Sequence, residues 1–328
     1  MIVDFQHHFA PRELVKDAGS GRATSYDEHG MPKFTAHSLL SDLDEHIRMM
    51  DLAGIDVAVL TGGGPGMCAN LETSRLVNNA AKQAERDYPG RFIGCAHVHP
   101  LGGAEHFHEL ARCSAELGFE GVVIRSEFSG IYLDDPQLEP FWKEVSRLGM
   151  YVFVHPGSDL NYSQQYNAYD SGRSVGREFS LAMSTIRLIN SGVLDRHPQL
   201  RIHMSHLSGG IAPLLGRIRC YQDKEFWGTA ASPIHGKKPE KEFDYYIRER
   251  LVVDTAGFSG EMNAVKAALL EIPATRIVFG TDYPQEIRSR DKVRDFVQAL
   301  RALGMAGEQI LSGNNGLLLK DKRVASAV

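Results

Sequence analysis

His8 in DFQHHF, His155 in FVHPG, His206 in HMSHLSGG and Asp282 in FGTDYP each end a short, apolar, β-rich run. Imidazole nitrogens with one carboxylate form the donor set of Zn²⁺, Mn²⁺ or Fe²⁺ sites. A single histidine of this kind is usually a hydrogen-bonded loop residue. Four ligand-type side chains that finish four different strands carry more weight, because closing the strands into a barrel brings their ends to a common centre. In a strand, alternate side chains share a face, so Asp4, Gln6 and His8 are expected to point one way and Phe5, His7 and Phe9 the other. Gln6 and His8 then look into the mouth, and His7 belongs to the outer layer.

The elements that would position these residues are visible as a rhythm. β-rich runs recur at 1–5, 56–61, 91–98, 121–125, 150–155, 201–206, 250–255 and 276–281. Between most of them lies helical spacing, such as Leu39, Leu43, Ile47 and Met50, or Phe141, Val145 and Leu148. Ser41 is placed to cap its helix, and Gly54, Gly118 and Gly149 follow theirs. This alternation predicts parallel βαβ units, and eight repeats point to an α/β fold of the (β/α)₈ TIM-barrel type. No G-x-G-x-x-G motif opens a helix after a strand, which argues against a dinucleotide-binding sheet. One domain over 1–328 is expected, with a small insertion at about 19–37 after the first strand and a second long connection at 156–176. Tyr26, Phe34, Tyr162 and Tyr166 in these loops are candidates to stack on a substrate ring.

Composition narrows the class of partner. The chain has 328 residues, 43% hydrophobic and 23% charged, with a net charge of −5. Nothing strongly basic points to nucleic acid, and no apolar run approaches the ~18 residues of a membrane span. The four cysteines are scattered and the N-terminus is polar, as expected of a cytoplasmic protein with reduced thiols.

The residues that end the strands also carry a family resemblance. D-x-Q-x-H at strand 1, VHP at strand 5, SHLSGG at strand 6 and FGTDYP at strand 8 resemble the amidohydrolase superfamily. The branch is that of aminocarboxymuconate-semialdehyde decarboxylase and γ-resorcylate decarboxylase. RLINSGVLDRHPQLRIHMSHLSGGIAPLLGRI at 187–218 and ILSGNNGLLL at 310–319 extend the match. The resemblance implies one divalent metal ion, zinc or manganese, held by His8, His155 and Asp282, with Gln6 at a position where the relatives place His or Glu. It implies His206 as catalytic acid–base, with Asp282 helping to shuttle the proton, and a homodimer. Arg217 falls where resorcylate-type enzymes have a substrate-contacting arginine. Gly209 falls where they have a glutamate, so that part of their proton machinery is missing. The end of strand 4 reads GVVIR, with no lysine to bridge a second ion, and Arg125 there is a fork for a substrate carboxylate.

A second H-x-H, His97 and His99, ends strand 3; His97 reads as a core histidine and His99 as a pocket-lining one. His29, His37, His46, His106, His108 and His235 read as solvated. The expected activity is nonoxidative decarboxylation of a small anionic, carboxylated aromatic or dienoic compound. Two alternatives remain open at this point: hydrolysis of a lactone or ring-cleavage product, and a non-catalytic barrel that binds a ligand or subunit, for which Gln6 speaks.

Overall fold

The runs rich in Val, Ile and Leu become parallel strands buried on both faces, as strands sandwiched between barrel interior and outer helices must be. β1 (Val3–His7) pairs with β2 (Val57–Leu60), and β2 with the first half of β3 (Phe92–Gly94). β3 breaks at Cys95 and resumes as Ala96–His97, which pairs with β4 (Gly121–Arg125). β5 (Tyr151–His155), β6 (Arg201–Met204), β7 (Leu251–Asp254) and β8 (Ile277–Val278) follow in order. The ring closes through the backbone. Phe5 N donates to Phe279 O at 2.8 Å, Asp282 N to Gln6 O at 2.9 Å and His8 N to Tyr283 O at 2.7 Å. The result is a (β/α)₈ barrel. This computed structural model describes residues 1–15, 18, 21–26, 30, 32–62, 70–157, 168–232 and 239–320.

A helix follows each strand: α1 (Leu43–Ala53), α2 (Leu71–Asp87), α3 (Ala104–Ala115), α4 (Glu139–Leu148), α5 (Arg177–Asn190), α6 (Leu215–Cys220), α7 (Met262–Leu269) and α8 (Arg290–Arg301). The cap of α1 is Asp42 rather than Ser41: its carboxylate accepts from Glu45 N at 3.1 Å. Ser41 closes a short turn just before it.

The insertion after β1 forms an antiparallel hairpin, Arg22–Tyr26 against Pro32–His37. It stands over the C-terminal ends of the barrel strands, the face where the candidate residues lie. Beneath that face runs a buried polar layer. His203 Nε2 bonds Asp254 Oδ2 at 2.7 Å, and Asp254 Oδ1 accepts from the backbone N–H groups of His206 at 2.9 Å and Ala256 at 3.0 Å.

Candidate active site

His8, His155 and Asp282 come together at the barrel mouth, each offering a ligand atom within 4.8 Å of the others. The His8 and His155 rings are edge to face at 5.2 Å. His155 Nδ1 donates to Pro156 O at 3.1 Å, which fixes its tautomer and leaves Nε2 as a lone-pair donor. Burial, followed by the charges of His8 and His206, holds the His155 imidazole well below its ordinary pKa, so it is neutral and fit to ligate. Burial opposes the charge of Asp282, but His8 and His206 outweigh it and keep this carboxyl ionised far below the usual range. His8 Nε2 sits in ion-pair contact with Asp282 Oδ1. His8 Nδ1 and Gln6 Oε1 are buried with no hydrogen-bond partner among the described residues. Two imidazoles, one carboxylate and an orphaned amide oxygen fit a divalent cation in chemistry and spacing.

Gln6 does more than stand beside this set. It is fully buried, and its Nε2 meets His206 Nε2 at 2.9 Å. Expected alternation holds for Gln6, His7 and His8 and fails for Asp4. The register of β1 slips between Asp4 and His7, and the bulge turns Asp4 onto His7. Asp4 Oδ2 bonds His7 Nδ1 at 2.9 Å, and His7 Nε2 bonds His46 Nδ1 at 3.0 Å. His7 therefore belongs to a closed structural network behind the site.

His206 leaves the strand before it reaches the site. β6 ends at Met204, and His206, Leu207, Ser208, Gly209 and Gly210 all adopt φ between 51° and 68°. A left-handed turn of non-glycine residues costs roughly 1–2 kcal/mol per residue and persists only where the surroundings enforce it. Here Asp254 holds the His206 amide, and the Thr185 and Ser208 hydroxyls bond each other. The ring is positioned by Glu178, whose Oε1 meets Nδ1 at 2.9 Å. Asp282 Oδ2 is 3.6 Å from Nε2. Burial disfavours charge on this ring, but the Glu178 carboxylate and then Asp282 hold its pKa well above the ordinary value. The neutral ring accepts from the Gln6 amide. The protonated ring has the Asp282 carboxylate 3.6 Å away as a counter-charge.

Above these residues lies a cavity of about 580 Å³, and His8, His155, His206 and Asp282 line it together with Arg125, Arg177, Glu178 and the hairpin residues Arg22, Phe34 and His37. Arg125 thus stands where expected. Two other candidates are not brought to the cavity within this chain. Arg217 is exposed on α6 with its guanidinium 5.2 Å from the Tyr221 ring centroid, and it is not among the cavity's described lining residues. His99 packs beside the Phe128 ring at 5.2 Å, with its backbone N–H donating to His106 Nδ1 at 3.0 Å, also outside the lining. His97 is a core histidine, with Nδ1 on Cys95 O at 2.9 Å. His37, His46 and His106 are buried rather than solvated. Phe34 lines the cavity, whereas Tyr26 is exposed. Tyr162, Tyr166, His29 and His235 lie outside the described residues.

Sequence reasoning missed Arg177, Glu178 and His37. A signal existed for the first two: they directly follow the long connection at 156–176, at the start of a helix that must leave the barrel mouth.

A barrel whose strand ends carry this donor set and a buried histidine beside two carboxylates defines a class of metal-dependent enzyme. The chain belongs to the amidohydrolase family, whose model matches residues 3–304. It is 29% identical over 301 residues to the γ-resorcylate decarboxylase of a Rhizobium species, covering 87% of this chain and 88% of that protein. It is 27% identical over 302 residues to the 2-amino-3-carboxymuconate-6-semialdehyde decarboxylase of Dictyostelium discoideum, covering 86% and 81%. The solved structure of 2,6-dihydroxybenzoate decarboxylase from Rhizobium superposes with a TM-score of 0.77 at 26% identity, covering 97% of this chain and 98% of that one. Among the described residues, no helix is long and apolar enough to cross a membrane.

Proposed function

We propose that the protein is a carboxy-lyase that removes CO₂ nonoxidatively from a small hydroxylated aromatic acid. The observation that carries this reading is the His8, His155 and Asp282 trio with His206 within 3.6 Å of Asp282, in an arginine-lined cavity. His8, His155 and Asp282 would hold one zinc or manganese ion, with Gln6 Oε1 in reach. When bound, that ion supplies a Lewis-acidic anchor for the substrate carboxylate and a neighbouring oxygen. Arg125 and Arg177 add positive charge around a small anionic substrate, and Phe34 offers a ring face. His206 Nε2 holds the proton destined for the ring carbon. As the bond to the carboxylate carbon breaks, its electron pair stays on the ring, the proton fills that position and CO₂ leaves. The Gln6 amide nitrogen then meets the deprotonated Nε2, and the Asp282 carboxylate lies beside the reprotonated one.

The same reading takes the enzyme as a cytoplasmic homodimer. Exposed Phe179 and Met183 on α5, and Leu214, Tyr221 and Trp227 around α6, offer apolar surface for a second copy, which sedimentation velocity tests.

The decisive experiment loads the protein with zinc or manganese and supplies 2,6-dihydroxybenzoate and related hydroxybenzoates, following CO₂ and ring absorbance together. Equimolar CO₂ and decarboxylated phenol support the reading. Lactone hydrolysis without CO₂ release from any aromatic acid overturns it.

A further inference from the structure

We propose that Glu178, on the first turn of α5, is the positioning residue that makes His206 a proton carrier, doing from a neighbouring element what no residue on the His206 turn does. The use made of the proton rests on the decarboxylase reading above, whereas the pairing stands on geometry.

Glu178 Oε1 lies 2.9 Å from His206 Nδ1, with both side chains largely buried. A carboxylate only accepts hydrogen bonds. Nδ1 is therefore the nitrogen that carries the hydrogen of this contact, and Nε2 is the one left to face the site. Nε2 faces the cavity side, 2.9 Å from the Gln6 amide nitrogen and 3.6 Å from Asp282 Oδ2. A histidine held by a buried carboxylate at one nitrogen and presenting the other to substrate is the arrangement that fixes tautomer and supports the imidazolium in general acid–base catalysis.

The backbone is shaped for this pairing. Gly209 has φ +68°, and a Cβ there would lie 2.0 Å from Glu178 O and 3.1 Å from Ala182 N. Only a residue without a side chain lets the start of α5 come this close to the left-handed turn. Position 209 and position 178 are thus a matched pair: the glutamate absent from the turn would have occupied the space through which α5 delivers its own. The opposite side of the ring is confined as well. A Cβ at Gly257 would fall 2.2 Å from His206 Cγ, so the imidazole rests on bare backbone. Ser208, on the His206 turn itself, shares a hydroxyl hydrogen bond with Thr185 further along α5.

The test uses Glu178→Ala and Glu178→Gln in the metal-loaded protein, alone and combined with His206→Ala. Glu178→Ala should lower kcat by roughly 10²–10⁴-fold, the range for losing a positioned proton carrier, with KM and metal content unchanged. In the His206→Ala background it should cost nothing further, because a residue that acts through His206 has nothing left to act on. Multiplying losses in the double variant would overturn the proposal, as would a Glu178→Ala protein with full kcat. A second readout needs no turnover. In ¹⁵N-histidine spectra of the metal-free protein, the signal that disappears in His206→Ala should report a hydrogen on Nδ1, and Glu178→Ala should move it toward the Nε2–H form. An unchanged spectrum overturns the pairing. If wild type decarboxylates nothing, the functional reading fails while these spectra still decide the role of Glu178.

Discussion

The two faces of β1 carry neighbouring histidines with opposite accounts. Behind the strand, His7 has both ring nitrogens bonded, to Asp4 and to His46, and His46 passes its other nitrogen to Leu39 O at 2.6 Å. Asp4 is satisfied in turn by Thr281, through its backbone N–H at 3.0 Å and its hydroxyl at 2.6 Å. In front of the strand, one residue on, His8 Nδ1 and Gln6 Oε1 are buried with no partner among the described residues. Buried polar atoms are ordinarily paired, and each unpaired one costs about 1–3 kcal/mol. The back of β1 is built for stability. The front holds ligand-type atoms that no described neighbour engages.

The largest effects should separate the two faces outright. His8→Ala should abolish metal binding and activity, read by elemental analysis after dialysis; retention of a stoichiometric ion would place it elsewhere. His206→Ala should keep the metal and lower turnover by roughly 10²–10⁴-fold. Loss of the ion along with activity would make His206 a ligand instead. His7→Ala should do the reverse of His8→Ala. It takes one hydrogen-bond partner each from buried Asp4 and His46, so unfolding should cost about 2–4 kcal/mol less in urea titrations, with metal content intact. If His7→Ala loses the metal first, the division between the faces is wrong.

Why part of this was readable in the sequence, and part was not, follows from what each feature depends on. GVVIR, YVFVH and LVVD are strands because β-branched and aromatic residues fill a surface buried on both sides, and that is a local property. His8, His155 and Asp282 were readable because a barrel gathers its strand ends whatever the loops do. Glu178 was not, since a glutamate in the first turn of a helix is ordinarily a partner for the helix dipole. Its role depends on Gly209, and that close approach exists only in three dimensions. Asp4 was misassigned because alternation assumes an unbroken register, and β1 carries a bulge. Where Arg217 points was not legible, because six residues of α6 give too little pattern to orient it. His37, His46 and His106 were read as solvated because their burial is decided by what packs over them.

His97 extends the comparison to a histidine with no part in the site. It is buried, and burial pushes its imidazole pKa down to about 4 from 6.5. The sign follows from which state binds the proton. Above about pH 6.5 both folded and unfolded chains hold it neutral and it contributes no slope. Between about pH 6.5 and 4 the unfolded chain takes up a proton that the folded one refuses, so stability falls as pH falls, by about 2 kcal/mol at pH 5. Urea titrations across this window should show that loss, and His97→Asn should flatten it by one proton. An unchanged slope would mean that His97 protonates in the folded state without penalty.

Gln6→Glu probes the front face at its most finely balanced atom. Gln6 spends its nitrogen on His206 and keeps its oxygen, so it works in two directions at once. With a divalent ion, two neutral imidazoles and the Asp282 carboxylate, the set carries one net positive charge, suited to an anionic substrate. A carboxylate at position 6 cancels that charge and brings no N–H group to the lone pair of neutral His206. Metal affinity should rise and KM for an aromatic carboxylate should increase, each by roughly tenfold, as one added charge in a partly screened site would give. Isothermal titration with the metal alone reads the first, and steady-state kinetics the second. A rise in KM with unchanged metal affinity would confine Gln6 to the His206 side. If both affinities stay unchanged, the orphaned oxygen does not face the ion, and the contrast between the two faces of β1 must be drawn from His8 alone.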